Sequence, residues 1–238
     1  MKETNSFPMC LWYPKLSHAS FPAVFLALTG EELEAMKNRQ TDTPVVKNLL
    51  SRLAHCMNSF PGNRFVSVDC VSPTDTERFQ SKRGAVHSAE SAWKNLLESR
   101  KVAESLERGE VTSLCIRPFR NMQMAREFRL FIKDGILAGM SQYYLVRHFR
   151  RLPGRVEQYF LQAQQFVEQI RGLLPAETLC MDIYFKSSGG ILIVDLNPWG
   201  ESTDPLMYNT WDRNWEEQRA CLIVPPPHCV RGDIKVRF

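Results

Sequence analysis

The chain has 238 residues, 44% hydrophobic and 24% charged, with a formal net charge of +4. That balance is ordinary for a globular protein able to bury a core in one large or two intimate domains, and its mild positive charge suits an anionic ligand without marking a nucleic-acid protein. No apolar run approaches the ~20 residues of a membrane span, and the opening MKETNSFPMC lacks a secretory apolar stretch, so the expected location is the cytoplasm, away from any membrane.

Residues 1–28 read as an irregular start in which Trp12-Tyr13-Pro14 and Phe21-Pro22 pack onto the body, with a strand over 23–28. Thr29 with Glu32 three residues on is a capping box, and it opens a helix. Residues 44–60 place Val46, Leu49, Leu50, Leu53, Ala54 and Met57 on one helical face. A turn at Pro61-Gly62-Asn63 leads to an alternating strand over 64–70, a loop over 71–76 and a polar stretch over 77–84. Residues 87–108 form a helix capped by Ser88 and interrupted at Ser99-Arg100-Lys101, and residues 111–118 form a strand. Residues 126–133 and 136–142 pair as a hairpin about Asp134-Gly135, a type I′ signal.

Residues 143–154 are basic and loop-like, and Arg147, His148, Arg150 and Arg151 there read as a solvated face rather than an RNA site. An amphipathic helix covers 156–173, a second hairpin joins 181–185 to 191–196, residues 210–219 are helical, and a short strand over 234–238 follows a proline break. Strands, helices and hairpins in this order, without regular βαβ alternation, predict an α+β fold. The seven cysteines form no CxxC and the five histidines no ligand spacing, which argues for free thiols and against zinc. No GxGxxG or Walker pattern occurs.

The hairpin over 180–208, CMDIYFKSSGGILIVDLNPWGESTDPLMY, holds the most chemistry. Folded symmetrically about Ser188-Gly189, it sets Asp182 opposite Asp195, and alternation puts Asn197 on the side of Asp195. Opposed carboxylates in an apolar ribbon repel unless a cation or a proton lies between them. Two carboxylates and an amide oxygen make a hard-oxygen site suited to magnesium. A plain turn explains Asn197-Pro198 as well, but not Asp182 inside a strand, so the residues alone leave both readings open. Arg117 at a strand end and Arg129 in mid-strand each need an anionic partner, either a protein carboxylate such as Glu127 or a ligand phosphate.

Four segments, FVSVDCVSPTDTERF, LCIRPF, REFRLFIKDGILAGMSQYY and MDIYF…ILIVDLNPWGESTDPLMYNTW, resemble in order and spacing the cell division cycle protein 123 family, from about Trp12 to Trp211. The resemblance implies an atypical ATP-grasp fold: two lobes of antiparallel sheet with packed helices, residues 1–110 and 111–238, and a nucleotide cleft between them. It implies ATP and Mg2+ as cofactors, with Asp182, Asp195 and Asn197 on the metal. Cys70, Ser72 and Asp75 would line the nucleotide, Arg117 and Phe119 would lie at the adenine hinge, and Arg129 and Asp182 on the phosphate side. The family places a phosphate-binding lysine where this chain has Ser67, leaving Lys82, Arg83 and Lys101 as substitutes. The implied activity is that of a chaperone-like assembly factor for a protein partner, translation initiation factor 2 in eukaryotic members. A carboxylate–amine ligase and a nucleotide-free interaction module are the alternatives.

Overall fold

The computed structural model describes residues 7–215 and 220–227. The chain opens with α1 (Met9–Leu16), β1 (Val24–Ala27), α2 (Gly30–Lys37), α3 (Pro44–Met57) and β2 (Arg64–Val68). Helices α4 (Glu77–Lys82), α5 (Ala89–Glu98) and α6 (Arg100–Glu107) precede β3 (Ser113–Pro118). A hairpin of β4 (Glu127–Lys133) and β5 (Ile136–Gln142) then leads to α7 (Val156–Ile170), followed by β6 (Leu179–Phe185), β7 (Ile191–Asn197) and β8 (Cys221–Leu222).

The strands form two sheets, of order β1-β3-β2 and β7-β6-β4-β5-β8. Among the described residues every pairing between these strands is antiparallel except that of the two-residue β8, which runs parallel to β5. Local chemistry explains much of this. Thr29 and Glu32 close the capping box on α2, Thr43 caps α3, and Ser99 ends α5 in an extended conformation while its hydroxyl caps α6. Asp134 and Gly135 both take positive φ, as the I′ turn requires.

Alternation along β3 ties the two halves together. Leu114 and Ile116 face a core with Leu49, Leu53, Val66, Trp93 and Leu96, built by the N-terminal helices. Cys115 faces the other way, into a core with Trp12, Leu16, Phe128, Leu130, Ala163, Phe185 and Ile193. Arg117, two residues on, shares the side of Cys115 and so points toward the five-stranded sheet.

Several expectations need correction. Residues 9–16 are helical rather than irregular; Pro14 hides the helix in the sequence, because an internal proline forfeits a helical hydrogen bond. The division at 110/111 falls before β3, yet β3 is the central strand of the first sheet, so that sheet closes only at Pro118. The second sheet is not purely antiparallel, because β8 joins it in parallel. Residues 77–82 are helical, capped by Thr76. Residues 210–215 form turns and bends rather than a helix, and Trp211 and Trp215 instead pack on Phe131. Residues 216–219 and the strand expected over 234–238 lie outside the described residues.

Candidate functional site

The five-stranded sheet has one apolar face and one mixed face. Phe128, Leu130, Ile132, Met181 and Ile183 point into the core beneath α7. Glu127, Arg129 and Phe131 therefore point the other way, as do Asp182 and Cys180, their neighbours across the β4–β6 ladder. At one end of this mixed face Phe131, Tyr208, Trp211 and Trp215 form an aromatic cluster with Trp199. Beyond it runs a polar row.

Asp182 and Asp195 are directly opposed in the β6–β7 pair, as expected, but not by symmetric folding. Near the turn Phe185 pairs with Ile191 and Ile183 with Ile193, one residue off the symmetric register, and a bulge after Ile193 restores the shift. The bulge is what turns Asp195 out. Without it, strict alternation would put Asp195 on the core side with Ile193. Arg117 secures the distortion by donating from Nη1 to the carbonyl of Val194, the bulged residue, at 2.9 Å. Its Nη2 contacts the Met9 sulfur.

Asp182 is 7% exposed and Arg129 6%, and they form a fork: Nε to Oδ1 and Nη2 to Oδ2, both 2.8 Å. The remaining Nη1 of Arg129 donates to the carbonyl of Asp204 at 2.8 Å. Asn197 donates from Nδ2 to Asp182 Oδ2 at 3.1 Å, which leaves its carbonyl oxygen as an acceptor. Asp195 accepts from the N–H of Leu196 at 2.9 Å. Burial and then the charge of Asp182 push the Asp195 carboxyl up to about 7, against the pull of Arg117. The field of Asp182, with burial, raises the Tyr143 hydroxyl as well. An open depression of about 450 Å³ lined by Glu201, Thr203, Asp204 and Trp211 lies beyond Asp204.

Glu127 completes the row. It is 7% exposed and makes no side-chain hydrogen bond among the described residues. Burial, then the Asp182 charge, pushes its carboxyl up to about 8, with Arg83 acting against the shift. Alternation with Phe128 and Leu130 offers Glu127 to the arginines as a salt-bridge partner, but Arg129 pairs with Asp182 instead. The row thus holds three carboxylates, Glu127, Asp182 and Asp195, against two guanidiniums, Arg117 and Arg129. Such an excess of buried negative charge is costly unless a proton or cation offsets it.

The fold does not bring the expected nucleotide-lining residues into this row. Cys70 packs at the edge of the N-terminal core, where burial pushes its thiol up to about 12. The carbonyl of Ser72 accepts from the N–H of Thr74 at 2.8 Å. Asp75 accepts from Ser99 Oγ at 2.6 Å and from the N–H groups of Arg100 and Lys101 at 2.9 and 3.2 Å, so it caps α6. Phe119 is half-buried, and its N–H already donates to the Asn63 carbonyl at 2.9 Å. Ser67 is buried in β2. Lys82 and Arg83 are exposed, and Lys101 donates to Thr74 Oγ1 at 2.9 Å. Among the described residues no helix is long and apolar enough to cross a membrane, and no three His, Cys, Asp or Glu side chains converge as metal ligands.

Comparison with known proteins fits this architecture. The D123 family model matches residues 67–220. A translation initiation factor eIF2 assembly protein of Xenopus tropicalis is 34% identical over 106 residues, 43% of this chain and 31% of that one. Its counterpart in Danio rerio is 32% identical over 136 residues, 52% of this chain and 38% of that one. The matched segments thus span only about a third of the curated relatives' length. The structure of Cdc123 from Schizosaccharomyces pombe superposes with a TM-score of 0.80 at 15% identity, over 92% of this chain and 95% of that one, and so shares the α+β fold. The chain belongs to the D123 family.

Proposed function

We propose that this chain binds ATP with Mg2+ in an ATP-grasp-like cleft between its two sheets and serves as an assembly factor for a protein partner, translation initiation factor eIF2. The observation that carries the ligand half is the polar row, with its unbalanced carboxylates on a rigid sheet floor. The donor set fits a hard divalent ion: Asp195, Asp182 and the carbonyl oxygen of Asn197 would hold it. Such an ion, when bound, neutralises phosphate charge and bridges phosphate oxygens to the protein. The chain's own residues do the rest. Arg117 fixes the β7 bulge and so the aim of Asp195. Arg129 orients Asp182 and puts its positive charge beneath the phosphate side of the row. The loop of Cys70, Ser72 and Asp75 would flank the nucleotide through its backbone, as would the hinge of Arg117 and Phe119. With β3 in the first sheet, the lobe boundary in this reading moves to just after Pro118.

The partner half rests on relatives named as eIF2 assembly proteins and on the fold shared with Cdc123. That role places the chain in the cytoplasm. It is tested by mixing the purified chain with each purified eIF2 subunit, with and without Mg-ATP, and reading complex formation by analytical ultracentrifugation. One subunit should bind. If none does, in either condition, the partner assignment falls while the ligand half stands on its own test.

A further inference from the structure

The polar row raises a charge problem that its own residues do not solve. Counted fully ionised, three carboxylates and two guanidiniums sum to one negative charge, and a divalent ion makes the row about +1; with Glu127 protonated it reaches about +2, still too little for the roughly four negative charges of a nucleoside triphosphate. A cation from outside the sheet is required. Arg83 meets the geometric conditions. It follows α4 in the left-handed conformation, at φ 52°. Gly84 behind it is fixed, because a Cβ there would lie 2.6 Å from the Phe65 ring. The guanidinium donates from Nη1 to Asn121 Oδ1 at 2.6 Å. Asn121 belongs to the link from β3 to β4 that passes over the Glu127 end of the row: two residues on, the N–H of Gln123 reaches the Tyr184 hydroxyl at 3.5 Å, and Tyr184 is the cross-strand neighbour of Glu127. After burial, the charge of Arg83 acts on both Glu127 and Tyr144, although neither forms an ion pair with it.

We infer that Arg83 is the phosphate-contacting cation of the N-terminal half, held ready by Asn121 and facing the Glu127 end of the row. This rests on the nucleotide reading above and adds a binding residue to it. An arginine suits the task, because its fork pairs bidentately with phosphate oxygens.

The test is calorimetric titration of Mg-ATP into wild type, R83A, R83K and N121A, each first checked for an unchanged melting temperature without ligand. R83A should weaken binding at least tenfold and lower the slope of log affinity against log salt. R83K should recover part of the affinity, and N121A should lose only a few-fold, since Asn121 positions the guanidinium without touching phosphate. Wild-type binding with R83A indistinguishable from it overturns the Arg83 assignment and leaves the nucleotide site standing. No binding by wild type overturns both.

Discussion

The two faces of the five-stranded sheet are made by the same strands and buried to similar degrees, yet they obey different rules. Beneath α7, Phe128, Leu130, Met181 and Ile193 are completely covered and make a core that tolerates no charge. One residue along each strand, Glu127, Arg129 and Asp182 are nearly as buried but charged. The apolar face stabilises the fold. The charged face costs stability, and a fold keeps such a row where it has a use for it.

That contrast can be broken from either side. The largest effect belongs to the charged face. Asp182→Ala strands Arg129 in a buried site and should cost about 3–5 kcal/mol in denaturant unfolding. Replacing both partners, Arg129→Met with Asp182→Leu, should return most of that loss, because the pair itself contributes little beyond its own desolvation. A double variant as unstable as the single one would show that the row is structural after all. On the apolar face, Ile193→Ala should cost about 2–4 kcal/mol through a cavity, with no route to recovery by a second substitution in the row.

Next comes pH. Glu127 binds its proton more tightly folded, at about 8, than a free glutamate near 4.3 does. Its contribution to stability is therefore full below about pH 4 and is lost as the pH rises through about 8. Glu127→Gln should flatten that decline, by on the order of 4 kcal/mol between pH 5 and 8.5, read from the denaturant midpoint. A wild-type protein equally stable at both ends of that range would contradict the burial argument. The smallest effect is that of Asn197→Ala, which removes one hydrogen bond to Asp182 and should cost about 1 kcal/mol in the ligand-free protein.

These residues also show how far the sequence could be read. The capping box at Thr29, the break at Ser99, the I′ turn at Asp134-Gly135 and the amphipathic run of α7 are local, so local rules found them. The pairing of Asp182 with Asp195 was reached by a register that is wrong at the turn and right beyond it, because a bulge at Val194 supplies the missing residue. Such a bulge leaves no mark in the sequence; it is fixed from outside by Arg117, on another sheet. The choice of Asp182 over Glu127 by Arg129 is likewise a tertiary decision, since both carboxylates were in reach by pattern. The helix over Met9–Leu16 was hidden by Pro14, and the turns about Trp211 and Trp215 by their apolar spacing, which serves an aromatic cluster instead of a helix face. Asp75, expected in the nucleotide loop, also accepts from the first backbone N–H groups of α6, a long-range contact that local spacing does not reveal.

The most direct measurement is the melting temperature with and without saturating Mg-ATP, for wild type and for Asp195→Ala. A charge-unbalanced row filled by a metal nucleotide predicts a rise of several degrees in wild type, dependent on magnesium, and none in the variant. Equal shifts in the two proteins, or no shift in either, would contradict it.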